Sequence, residues 1–321
     1  MKIKLKTLTS IGAIVLFSAS SFADNPIIGA PAWSTPARGD VQPKNLDLAK
    51  QTLANSKQAY SQAEIDNKFS APDWFPEQHT LMPKIVSSGR QPKVWACASC
   101  HLTSGHGHPE SATLAGLTAT YINSQMQAFA SGARLDYSGH MNRMAAELSE
   151  QEILAVSRWF ASLTVKRFIK VKETERVPRT FIDETRMRRL VANSGSTELL
   201  GNRIIEVAEN REKVSKRDPW AKFISYVPVG SLERGKALVS SGAGKTIACA
   251  SCHGVGLKGS AIGPALAGNF ATYTVRQLHG FKGGTRKGAQ SALMQSVVAQ
   301  LSDHDIVDIA AYLSSLDPAA E

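Results

Sequence analysis

Cys97, Ala98, Ser99, Cys100 and His101 recur, letter for letter, as Cys249, Ala250, Ser251, Cys252 and His253. Thiols at this spacing sit about one helical turn apart. They can bond to two vinyl groups on one edge of a porphyrin, while the imidazole that follows reaches the iron from one face. C-x-x-C-H is the attachment signature of c-type haem. A zinc site would gather four sulfur or nitrogen ligands in one place, and all 4 cysteines of the chain lie inside the two pentapeptides. Two covalently attached haem c groups are therefore expected, held by Cys97, Cys100, Cys249 and Cys252, with His101 and His253 as proximal iron ligands.

The pentapeptides belong to a longer repeat. A shift of 152 residues aligns Leu114-Ala115-Gly116 with Leu266-Ala267-Gly268, Tyr121 with Tyr273, Gln125 with Gln277, Phe129 with Phe281, Gly132 with Gly284 and Arg134 with Arg286. One inserted residue then aligns Met141 with Met294, Leu148-Ser149 with Leu301-Ser302, and Ile153 with Ile306. Such agreement is the signature of a duplicated unit. Each copy predicts a final amphipathic helix, opened by Ser149 or Ser302 as N-cap with acidic residues in the first turn. Apolar residues follow at helical spacing: Ile153, Val156, Phe160 and Leu163, then Ile306, Ile309, Ala310 and Leu313. A second helix begins near Tyr121 or Tyr273, and a third precedes the second motif at Ser231 to Val239.

The distal ligand decides what each iron can do. A second protein ligand closes the iron to substrates, whereas an open position admits peroxide. Met141 and Met294 recur at one place in both copies, which raises them above core filler. Met144 and Met126 compete in the first copy, and His106 and His108, otherwise read as solvated loop residues, are alternative ligands there. Arg134 and Arg286 could pair with haem propionates, since a guanidinium fork suits carboxylates; solvated surface positions are the alternative.

This arrangement resembles class I c-type cytochromes, and the tandem layout resembles the dihaem cytochromes c of the c-four kind, over residues 83 to 163 and 230 to 316. The resemblance implies a mainly α fold of two tandem class I cytochrome c domains related by internal duplication, plus an irregular amino-terminal arm and a basic interdomain linker. It implies that the Pro264 carbonyl accepts a hydrogen bond from the His253 ring, which fixes and strengthens the ligand. Ala112 stands at the matching place in the first copy, so the proximal contact there is expected to differ and the two potentials to be unequal. Two low-spin His/Met haems of positive potential are expected.

The first 23 residues read as a cleaved secretory signal: Lys2, Lys4 and Lys6, an apolar stretch from Ile11 to Phe17, and Ser21-Phe22-Ala23 before Asp24. No later stretch reaches ~18 apolar residues, so no transmembrane segment is expected, and peripheral membrane contact stays open. A periplasmic protein follows. Net charge is +10, or +7 without the three signal lysines. Outside the cytoplasm this argues against nucleic acid and for redox partner proteins with acidic docking surfaces.

The expected organisation is signal peptide 1–23, amino-terminal extension 24–80, haem domain 1 at 81–163, linker segment 164–228 and haem domain 2 at 229–321. A helical patch is expected from Leu46 to Asn67, and docking of Asp73-Trp74-Phe75-Pro76 on the first haem domain is one reading of that stretch. Phe168 to Val177 alternates like a strand, and the linker should pack on both domains. The expected function is an electron carrier rather than an enzyme. Two alternatives stand beside it: the electron-transfer subunit of a periplasmic dehydrogenase, and a dihaem peroxidase-like enzyme. A peroxidase needs one accessible iron and unlike domains, and a cysteine-ligated thiosulfate dehydrogenase needs a spare cysteine.

Overall fold

The computed structural model describes residues 27–41, 48–192, 195–288 and 290–319; the signal segment 1–23 lies outside the described residues. The amino-terminal arm is not the helix expected over 46–67, part of which also lies outside the described residues. It forms a small antiparallel pair, β1 (Gln51–Thr52) with β2 (Ala59–Tyr60), and a single turn, α1 (Gln62–Ile65). Asn55 at φ 66° makes the reversal between the strands, a left-handed position that asparagine tolerates and a continuous helix cannot contain. Ser61 and Glu64 cap α1 reciprocally.

The first motif-bearing region runs through α2 (Lys84–Ser87), α3 (Ala98–His101), α4 (Ala119–Ala130), α5 (His140–Ala146) and α6 (Glu150–Ala161). Ser149 caps α6 with a full capping box through Glu152. The apolar stripe of α6 then meets α4 around Phe160, Ile122, Met126 and Phe129. Burial of one such Phe or Ile side chain contributes about 1.5–3 kcal/mol.

Residues 164 to 228 are folded rather than extended. They hold β3 (Ile169–Glu173), β4 (Arg176–Pro178), β5 (Thr180–Ile182), β6 (Arg188–Leu190), β7 (Thr197–Leu199), β8 (Ile205–Ala208), α7 (Arg211–Ser215) and β9 (Phe223–Val227). The alternating run 168–177 thus becomes two strands broken at Thr174. Strand β9 is the centre of a three-stranded sheet, parallel to β3 (Val171 opposite Ser225) and antiparallel to β8 (Val207 opposite Ile224). Its side chains alternate between two small cores. One gathers Phe168 and Phe223 against Phe270, and the other gathers Val177, Leu200, Ile205 and Val207.

The second motif-bearing region comprises α8 (Ser231–Ser241), α9 (Ala250–His253), α10 (Ala271–Lys282), α11 (Ser291–Val298) and α12 (Asp303–Ser315). Ser302 and Asp305 repeat the capping box at the start of α12. Helices α8 and α12 cross closely at Gly235, where a Cβ would lie 2.0 Å from the Asp308 carbonyl oxygen. Glu206 of β8 is buried and accepts from the Ala271 and Thr272 amides at 2.9 and 3.1 Å. It thereby satisfies two donors at the start of α10 that the helix cannot satisfy itself.

Candidate functional site

Both pentapeptides form one turn of helix with the same internal bonds. The His101 amide donates to the Cys97 carbonyl at 3.0 Å, and the His253 amide to the Cys249 carbonyl at 2.9 Å. The cysteines and histidine of each motif are therefore presented by a single rigid turn. Burial pushes the Cys97 thiol up to about 12 and the Cys249 thiol up to about 11. Redox-active thiols are shifted the other way.

His101 Nδ1–H donates to the Ala112 carbonyl at 2.8 Å, and His253 Nδ1–H donates to the Pro264 carbonyl at 2.8 Å. The expected difference between the proximal contacts is corrected here. The acceptor is a main-chain oxygen, so alanine supplies it as well as proline. In both copies this bond fixes the tautomer and leaves Nε2 free to ligate. Burial lowers both imidazoles below the ordinary histidine range, so they are neutral, as a metal ligand must be.

Cys97, Cys100 and His101 line an apolar cleft of about 1350 Å³, its solvent-open part included. Met141 and Met144 line the same cleft; three residues apart on α5, they share one face. Met126 is buried in the adjoining core and also reaches the cleft wall. In the second region Met294 lies on α11, half-buried against its core. Met141 and Met294 each stand eight residues before the serine that caps the last helix.

The solvated reading of His106 is corrected: the ring is 2 % exposed. Its Nε2 accepts from the Lys166 amide at 3.0 Å, and it packs on Phe168 and Trp220 with centroids 4.6 and 5.3 Å away. The linker, invisible in the local sequence, covers this loop. His108 is partly buried beside it, its Nδ1 accepting from the Glu110 amide at 3.3 Å.

Arg134 and Arg286 are not surface residues. The segments 133–135 and 285–287 pair across the two regions, Leu135 N–H to the Thr285 carbonyl at 2.9 Å and Lys287 N–H to the Ala133 carbonyl at 2.6 Å. Arg134 donates to Gln125, Gln277 and Tyr273, at 2.8, 2.8 and 3.0 Å. Arg286 donates to Gln277, Gln125 and Tyr121, at 3.1, 2.9 and 2.6 Å. Each guanidinium is thus shared between its own helix and the matching helix of the other copy. These hydrogen-bond partners are uncharged, and burial together with the facing Arg134 lowers the pKa of Arg286. That of Arg134 is raised instead: against the cost of its burial stand Tyr273, Tyr121 and the charge of Asp136. Tyr121 and Gln125, with Tyr273 and Gln277, were visible in the sequence as recurring pairs but had no assigned role; recurrence at matched positions was the signal.

The chemistry of this donor set fits haem. Each motif offers two thiols and a neutral imidazole from one turn, an apolar cleft surrounds the first, and Arg134 lines that cleft.

A family model for cytochrome c matches residues 232–317. Cytochrome c-554(548) of Halomonas halodenitrificans is 44% identical over 77 residues, 24% of this chain and 93% of that protein. The thiosulfate dehydrogenase electron acceptor of Stutzerimonas stutzeri is 26% identical over 234 residues, 72% of this chain and 83% of the relative. Cytochrome c4 of Pseudomonas aeruginosa is 26% identical over 233 residues, 70% and 86% of the two chains. The chain belongs to the cytochrome c family. It is a dihaem electron-transport protein with covalently bound haem c. Among the described residues no helix is long and apolar enough to cross a membrane.

Proposed function

We propose that this chain is a periplasmic carrier that moves single electrons between a respiratory or dehydrogenase donor and a terminal acceptor. One haem is held in domain 1, residues 81–163, by Cys97 and Cys100; the other in domain 2, residues 229–321, by Cys249 and Cys252. His101 with Met141, and His253 with Met294, are the iron ligands. Bound haem supplies a one-electron ferric–ferrous couple. The protein's residues set how easily that couple is reduced. The main-chain bonds to His101 and His253 orient the rings, the thioethers favour the reduced state, and the apolar cleft disfavours added positive charge. Arg134 and Arg286 balance the haem carboxylates at the junction of the domains. Residues 1–23 direct export, and the basic surface meets partner proteins with acidic docking faces.

The observation that carries this reading is the pair of histidines, each tethered through Nδ1 to a main-chain carbonyl and presented with two cysteines by one turn of helix. A second reading, an electron-accepting subunit that serves a periplasmic dehydrogenase, is favoured by the similarity to the thiosulfate dehydrogenase electron acceptor over 72% of the chain. The chemistry at the haems is the same in both.

An optical redox titration with and without hydrogen peroxide tests the proposal. Two reversible one-electron waves, no peroxide consumption and a weak red-end charge-transfer band that diminishes in Met294→Ala are expected. Peroxide turnover, or a water-ligated resting iron, would overturn it.

A further inference from the structure

The loops that lead into the two recurring methionines run alike as far as the paired segments 133–135 and 285–287, and differ beyond them. In the first copy, side-chain bonds stitch that loop to α5. Asn142 Nδ2 donates to the Phe129 and Arg134 carbonyls at 2.8 and 2.7 Å, and its Oδ1 accepts from the Asp136 amide at 2.8 Å. One oxygen of Asp136, Oδ2, accepts from the Met141 amide at 3.2 Å and from Ser138 Oγ at 2.6 Å. The left-handed residue before the helix is Gly139, φ 70°, where glycine meets no Cβ penalty. Helix α5 is also pinned to Trp95, which stands just before the first motif. The His140 ring meets it edge-on at 4.9 Å, and the Arg143 guanidinium lies 5.6 Å from its centroid.

None of these devices recurs in the second copy. Asn142 aligns with Gln295, His140 with Leu293, Arg143 with Ser296 and Trp95 with Ile247. Asp136 falls at Gly288 or Ala289, neither of which can accept with a side chain. Among the described residues, Gln290 and Gln295 make no side-chain hydrogen bond. Two main-chain bonds lead into α11, Ser291 N–H to the Gly288 carbonyl at 3.0 Å and Leu293 N–H to the Gln290 carbonyl at 3.2 Å. Gln290 itself holds φ 65°, a left-handed backbone that strains a residue with a Cβ. Leu293 and Ile247, at the places of His140 and Trp95, are 58 % and 51 % exposed. The side-chain anchor on α11 lies past Met294, where Thr246 Oγ1 donates to the Val297 carbonyl at 2.7 Å. The attachment turns differ likewise. Ala98 and Ser99 are 2 % and 4 % exposed beneath the linker, where Arg217 Nη1 donates to the Ser99 carbonyl at 2.6 Å, whereas Ala250 and Ser251 are exposed.

We propose that Asn142 and Asp136 are positioning residues that hold Met141 on the first iron, and that at the second iron, where Met294 has no such brace, a small neutral nitrogen base takes the place of the thioether. Swinging Met141 away means breaking the bonds that tie α5 to its loop; swinging Met294 away breaks none of that kind. Local opening is rarer where more such bonds must break. In the exchange the Met294 Sδ–iron bond breaks, a nitrogen–iron bond forms, and no electron moves. An imidazole nitrogen is the suitable entrant, being a good iron ligand. The proposal rests on the carrier reading, in which both methionines are ligands.

The test titrates the oxidised holoprotein with imidazole and follows the red-end charge-transfer band of sulfur-ligated ferric haem. About half of the band should vanish at an imidazole concentration at least ~10-fold below that needed for the rest, a difference of about 1.4 kcal/mol. In Met294→Ala the remaining band should withstand the lower concentration, and in Met141→Ala it should not. Asn142→Ala and Asp136→Ala should each bring the resistant half to within about three-fold of the sensitive one. Asp136→Asn, whose single amide oxygen can still accept both bonds, should stay within about two-fold of the wild type. Loss of the whole band in one step, a sensitive half that belongs to Met141, or a resistant half unmoved by both alanine variants of the brace would overturn the inference and leave the carrier reading intact. Should those alanine variants not fold, the wild type and the two methionine variants decide the matter by themselves. An oxidised wild-type protein without the band would remove the His/Met reading, and this inference with it.

Discussion

The junction between the two copies and their outer faces follow opposite rules. At the junction, Arg134, Gln125 and Tyr121 meet Arg286, Gln277 and Tyr273 in an arrangement nearly unchanged when the copies are exchanged. On the outside, the same pentapeptide is covered in one copy and open in the other. Duplication therefore fixed the residues that copies share with each other. The sequence unique to each part, the arm and the linker, set what each copy shows to solvent.

The largest expected effect breaks the cover. Trp74 is fully buried, donates from Nε1 to the Lys216 carbonyl at 2.8 Å, and stands edge-on to Tyr60 at 4.8 Å. Docking of this stretch on the first haem domain was one reading and an ordered arm without function the other; the indole is anchored to the linker beside Trp220. It thus ties the arm to the segment that covers Ser99. Trp74→Ala should cost roughly 3–5 kcal/mol of stability. Hydrogen exchange should quicken in residues 214 to 220 and at the first motif, and stay unchanged in α10 and α12. Equal acceleration in both halves would mean that the arm is no local clamp.

A smaller effect sharpens the symmetric side. Arg134→Gln keeps a hydrogen-bonding side chain and removes one buried positive charge. Less positive charge nearby makes ferric iron easier to hold, so midpoint potentials fall, by something on the order of 50 mV for one charge at an effective dielectric of about 20. Because Arg134 bridges both copies, both midpoints should move, and Arg286→Gln should act alike. Spectroelectrochemistry measures this; movement of one midpoint alone would refute the shared role.

What could be read from the sequence follows the same division. The attachment turns, the capped last helices of each copy and the helices at Tyr121 and Tyr273 depend on residues close along the chain, and they stand where spacing put them. Ala112 was misjudged because its identity mattered less than its carbonyl, and a carbonyl has no letter of its own. His106 was misjudged because Phe168 and Trp220, which bury it, lie far along the chain. The charge at Arg134 and Arg286 was visible, but its setting required knowing that the matching loops after α4 and α10 pair with each other. The turn at Asn55 and the strand pair around it replaced a helix that composition alone favoured over 46–67.

The smallest effect concerns the arm. Glu64 is lowered from 4.5 to about 2, chiefly by its hydrogen bond from Lys50, with help from the Ser61 amide and hydroxyl. A carboxylate depressed on folding stabilises the folded state above its ordinary pKa, and the contribution is lost as pH falls towards the folded value. Between pH 4.5 and about 2 the cap of α1 should therefore weaken, slightly, because Lys50 and Glu64 are about half exposed and salt screens them. Exchange rates of the amides in α1, followed down through that window, should show a step in the wild type and none in Glu64→Gln. The capping boxes of α6 and α12 sit in the duplicated helices, each beneath a packed apolar face, whereas α1 is a single turn that rests on its cap and on Ile65. If α1 kept its protection through that window, packing of Ile65 beneath Trp74 rather than the charged cap would be what keeps the arm in place, and the cover would depend on the indole alone.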